Sequence, residues 1–82
     1  MFAVGQSYEK GIGVPQNYET AMAWYRKAAA SGSADAMNSI GVLYDRGLGV
    51  RKSRGKANRW YKRAAEAGSP LAKGNLGAFG RD

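Results

Sequence analysis

The chain has 82 residues, 44% of them hydrophobic, which bounds it to one small folded domain and sets it apart from a disordered tail. It contains no Cys and no His, so disulfides, thiolate metal sites, thiol nucleophiles and imidazole bases are all excluded. Thirteen Lys and Arg against six Asp and Glu leave a charge of +7 and a pI near 10.1, which favours anionic partners wherever that charge is gathered on one surface.

The opening segment, MFAVGQSYEKG, has no basic leader and turns polar at Gln6, so it reads as a shortened helix over 1–10 rather than a secretory signal. No apolar run approaches the roughly 18 residues of a membrane span. Together with the missing cysteines, these features predict a cytoplasmic protein with no span. After the turn GIGV, Asn17 is placed to cap a helix over 17–31 with Ala21, Trp24, Tyr25, Ala28 and Ala29 on one face. Gly32 then falls where a left-handed residue is wanted. Ser33 caps a third helix over 34–46, with Asp35 in its first turn and Ala36, Ile40, Leu43 and Tyr44 at i, i+4, i+7 and i+8. Following GLGV, Ser53 caps a helix over 53–67 whose inner face is Ala57, Trp60, Tyr61, Ala64 and Ala65. Gly68, the cap Ser69 and Pro70 at the first helical position then open a last helix over 70–79.

These elements repeat. Trp24 and Trp60 are 36 residues apart, and the same offset pairs Gly5 with Gly41, Tyr8 with Tyr44, Gly11 and Gly13 with Gly47 and Gly49, and Tyr25 with Tyr61. Ala36, Ile40 and Gly41 recur once more as Ala72, Leu76 and Gly77, while Gly80 replaces the tyrosine, which predicts fraying there. The fold class is therefore all-α: a short αα-solenoid of two 36-residue helix-turn-helix repeats plus a terminal helix, in the order A-B-A-B-A. As one domain over 1–82 it divides into a shortened repeat at 1–32, a full one at 33–68 and a partial one at 69–82. Glycine inside a helix costs about 1 kcal/mol against alanine. Gly5, Gly41 and Gly77 thus signal close approach of a neighbour, with Tyr and Trp filling the space that small residues leave. The exposed helical ends also leave room for assembly with a second copy.

The pattern G-x-x-Y-x-x-G-x-G-V followed by A-x-x-W-Y-x-x-A-A-x-x-G, at a spacing of 36, resembles the Sel-one-like repeat (SLR) family of tetratricopeptide-related αα-hairpins. That resemblance spans essentially the whole chain. It implies a right-handed superhelix with A helices on its concave face and B helices on its convex face, and a bacterial adaptor that holds a protein or peptide partner. Cysteine-rich members have been described as β-lactamase-like; this chain has no cysteine, so that activity is not carried over. It departs from the pattern in RKSRGKA, where Arg54 stands in place of Tyr18 and Gly55 enters the first turn of a helix.

Catalysis finds little to use. The six acids are scattered; Glu9 and Asp45 stand at equivalent positions of adjacent A helices, open to pairing as carboxylates but read as solvated residues before a turn, and GLGV lacks the strand and lysine of a phosphate loop. The reading is a non-enzyme with no cofactor and no metal. Given the resemblance, partner binding is expected on A-helix positions turned away from the core: Gln6, Glu9, Asn38, Val42, Asp45 and Asn75, with Ala78 beside them, where amides can bond a peptide main chain. The alternative is electrostatic. From Arg46 to Arg63 there are eight cations and no acid, and Lys52, Lys56, Arg59 and Arg63 form a stripe opposite Ala57, Trp60 and Tyr61. Such a stripe suits nucleic acid, a membrane surface or an acidic protein, although with Trp60 facing inward it offers no stacking aromatic. Nucleic acid is the less favoured partner.

Overall fold

Local chemistry sets where each helix begins and ends. In the computed structural model, which describes residues 1–79 apart from the side chains of 73 and 76–79, five helices follow one another: α1 (Phe2–Lys10), α2 (Tyr18–Ala30), α3 (Ala34–Arg46), α4 (Arg54–Glu66) and α5 (Pro70–Phe79). The expectations for Leu76, Gly77, Ala78 and Gly80 lie outside the described residues. Asn17 Oδ1 accepts from the Thr20 N–H at 3.0 Å, and the hydroxyls of Ser33, Ser53 and Ser69 accept from Ala36, Lys56 and Ala72, each at 3.2 Å. Each of these satisfies one otherwise orphaned donor of the first turn, a contribution of about 1 kcal/mol. No strand is present among the described residues.

Each A–B pair closes on itself and then onto the next. Asn17 N–H donates to the Tyr8 carbonyl at 2.8 Å, and Ser53 N–H to the Tyr44 carbonyl at 2.9 Å, so the two hairpins are tied identically. Close packing runs α1–α2, α2–α3, α3–α4 and α4–α5, giving a slab of 37 × 24 × 17 Å in which neighbours stack in chain order. Tyr25, Tyr61, Ile40 and Leu43 are fully buried at its centre, among Ala21, Ala28, Ala36, Ala57 and Ala64. A Cβ at Gly5 would lie 2.6 Å from two ring carbons of Tyr25, and one at Gly41 equally close to Tyr61. The glycines inside the A helices are thus seats for the tyrosines of the B helices.

The two turns differ despite their matching residues. A Cβ on Gly49 would meet Tyr18 Cβ at 2.5 Å, because GLGV lies against the start of α2, whereas Gly13 has nothing within 4 Å. Leu48 and Val50 accordingly pack on the core, while Ile12, which stands where Leu48 does one repeat later, is 63% exposed. Among the described residues nothing lies within 4 Å of a Cβ placed on Gly13 of the first turn.

Candidate functional site

Among the described residues, one cavity opens across the A helices and another between the B helices. The first, about 290 Å³, crosses the A helices and is lined by Phe2 and Gln6 of α1, Asp35, Asn38 and Ser39 of α3, and Leu71 of α5. Repetition places it: successive A helices present equivalent positions side by side. Gln6 and Asn38 are the two predicted groove residues that meet here. Phe2, Asp35, Ser39 and Leu71 were not anticipated; Leu71, 67% exposed and next to a capped proline, carried the clearest signal of a bare apolar side chain at a helix start.

Several expected groove positions are placed differently. Asn38 is not turned to solvent: it is 8% exposed, and its Oδ1 accepts from Asn75 Nδ2 at 2.9 Å, a bond between α3 and α5. The two amides face each other because they lie 37 residues apart, one residue past a full repeat. Val42 is half-buried against the core instead of exposed, since it borders the packed stripe. Glu9 accepts from the Tyr25 hydroxyl at 2.7 Å, while Asp45 acts electrostatically on Tyr61. Each carboxylate thus serves the tyrosine of its own repeat. Among the described residues no three acidic, His or Cys side chains are grouped to hold a metal.

Burial, and then the Glu9 hydrogen bond and charge, raise the Tyr25 hydroxyl well above the ordinary tyrosine value, with Ser39 opposing. Burial followed by the Asp45 charge pushes Tyr61 up to about 12, with Arg46 opposing. An unfolded tyrosine ionises near pH 10. Between pH 10 and about 12 the folded chain holds a Tyr61 proton that the unfolded chain releases, so rising pH favours unfolding. Melting temperature should therefore be unaffected by Tyr61 below about pH 10 and fall above it. Tyr61→Phe should flatten that fall in calorimetric scans between pH 9 and 12; an equally steep fall in the variant would refute the assignment.

The second cavity, about 300 Å³, lies between the B helices α2 and α4 and is lined by Arg26, Tyr44, Lys56, Arg59, Trp60 and Arg63. Three of the four predicted stripe residues converge here; Lys52 does not, its Cβ lying 3.0 Å from the position of a Cβ on Gly47. Trp60 is half-buried and lines the cavity rather than facing wholly inward, because Tyr61 takes the seat at Gly41. The Arg63 guanidinium sits 4.6 Å from the centroid of Trp60, as Lys27 does at 4.8 Å from Trp24 one repeat earlier. Arg26, which the stripe omitted, reaches across from α2 to donate to Tyr44 Oη at 2.7 Å.

No described helix is long and apolar enough to cross a membrane. No curated protein matches the chain. Among solved structures it is similar to a Sel1 repeat protein from Oxalobacter formigenes (TM-score 0.91, 39% identity over 94% of this chain). It is also similar to a protective antigen of uropathogenic Escherichia coli that displays an SLR fold (TM-score 0.90, 36% identity over 94%). A third similar structure is cysteine rich protein B of Helicobacter pylori (TM-score 0.85, 29% identity over 92%). All three are bacterial, and the chain spans 32%, 16% and 56% of their respective lengths. The Sel1 repeat model matches residues 1–33 and again 34–69, so the five-helix stack belongs to the Sel1 repeat family.

Proposed function

We propose that the protein is an interaction module whose A-helix groove holds an extended segment of a protein partner. Sel1 repeat proteins are generally protein-interaction modules, and their fold is a scaffold that is not typically enzymatic. The observation that carries the reading is the cavity across α1, α3 and α5, with apolar side chains, Phe2 and Leu71, beside the polar Gln6, Asn38 and Ser39. Apolar anchors with a few placed polar groups are what a peptide site requires. Asn38 gives its oxygen to Asn75 yet retains amide protons, and Gln6 brings both donor and acceptor. Asp35, the one charged residue in the lining, favours a segment without acids at that point.

Peptides selected from a random display library on the intact chain test this. Leu71→Asp should weaken the selected peptides about tenfold or more, the loss expected for one buried apolar anchor. Raising salt from low to high should leave them nearly unchanged. Peptides that bind Leu71→Asp as well as wild type would remove the site from this groove.

A further inference from the structure

The cleft between α2 and α4 is unexplained by an A-helix groove, and it stands independently of that reading. We propose that it binds a compact polyanion carrying two or more adjacent phosphates, a diphosphate group. Four cations from two different repeats, Arg26 of α2 and Lys56, Arg59 and Arg63 of α4, line one cavity, and no Asp or Glu is among the lining residues. Like charges brought together repel, and an anion of matching multiple charge relieves that repulsion.

The arrangement is a cup rather than a track. A strand of nucleic acid would need cations spaced along α4, and Lys52, the first of that line, is outside the cavity. The remaining three line the same cavity as Arg26. Arg63 lies over the Trp60 indole, the Lys56 ammonium lies 5.6 Å from the Tyr44 ring centroid, and Arg26 is held by Tyr44 Oη. Two aromatic faces and one tyrosine hydroxyl thus hold three of the four before any ligand arrives, which lowers the ordering cost of binding. Guanidinium forks suit phosphate oxygens in pairs. Tyr44 accepts from Arg26 and so keeps its own hydroxyl proton to donate. A volume near 300 Å³ equals about ten liquid waters, room for linked phosphates.

The diphosphate could arrive as free pyrophosphate or as part of a nucleoside diphosphate, where Trp60 would border the base. Calorimetric titration of the full chain with inorganic pyrophosphate and, separately, with ADP distinguishes these sources. Saturable one-to-one binding of pyrophosphate is expected, with ADP tighter only if the base is also held. Arg59→Ala should weaken pyrophosphate about tenfold or more, a charged hydrogen bond lost. Arg26→Lys, which keeps the charge and loses the fork, should also weaken it. Lys62→Ala, the same charge change at an exposed residue outside the cavity, should alter affinity less than about twofold. Circular dichroism confirms that each variant folds. The proposal is overturned by any of three results: no saturable binding of either compound, equal losses in Arg59→Ala and Lys62→Ala, or an oligonucleotide that binds better than pyrophosphate and depends on Lys52.

Discussion

Tyr61→Ala should lower the melting temperature by on the order of 20 °C, the largest effect of any single truncation in the chain. The ring is 1% exposed and lies on Gly41, between α3 and α4, the most closely packed pair of helices. Truncating a buried aromatic costs about 3–5 kcal/mol, the lost transfer energy plus the cavity left behind. A chain of this size has a total stability of only about 4–12 kcal/mol, so one side chain supplies a large share of it. Thermal denaturation followed by circular dichroism reads the effect. A shift of only a few degrees would mean that the helices collapse into the void, and that the tyrosine is filler rather than the keystone of the α3–α4 contact.

Gly41→Ala should be destabilising as well, against the ordinary preference of helices for alanine. The new methyl would sit 2.6 Å from two Tyr61 ring carbons and 3.2 Å from the Ala57 carbonyl oxygen. The ring is enclosed and cannot swing aside, so α3 and α4 must separate. Overpacking of this kind costs about 1–3 kcal/mol, against a gain of about 1 kcal/mol in helix propensity. Combining the two substitutions separates these terms. In the Tyr61→Ala background the two ring contacts are gone and only the Ala57 carbonyl remains close, so Gly41→Ala should cost clearly less than in the wild type, offset by up to about 1 kcal/mol of helix propensity. An additive double mutant would show that the glycine is not a seat for the ring.

Much of this architecture could be read from the residues, because its causes are local or periodic. Asn17, Ser33, Ser53 and Ser69 cap the helices they were expected to cap, and a glycine that weakens a helix is explained by a tyrosine 20 residues later in each copy. The departures come from the junctions between repeats. Helical periodicity put Asn38 and Val42 outside, but α5 lies close enough for Asn75 to bond Asn38. Ile12 and Leu48 are equivalent by sequence and differ in burial, since the second turn lies against the start of α2 while the first meets nothing comparable among the described residues. Arg26 escaped notice in the basic surface for the same reason. Its place in one cavity with Arg59 and Arg63 depends on how far apart α2 and α4 are set across α3, a distance that no periodicity within one helix encodes.

The order of stacking, each helix chiefly against the one before it and the one after, has a genetic consequence. An in-frame duplication of 36 codons would insert a unit whose leading face finds the same partner residues as before and whose trailing face offers them again. No compensating substitution would be needed elsewhere in the gene. A duplication that is not a whole number of repeats would leave a broken unit at its junction, where a glycine or a tyrosine lacks the partner it has in a full copy. Lengthening by whole units is therefore the path of least resistance for such a gene, and selection could act on reach before it acted on any single side chain.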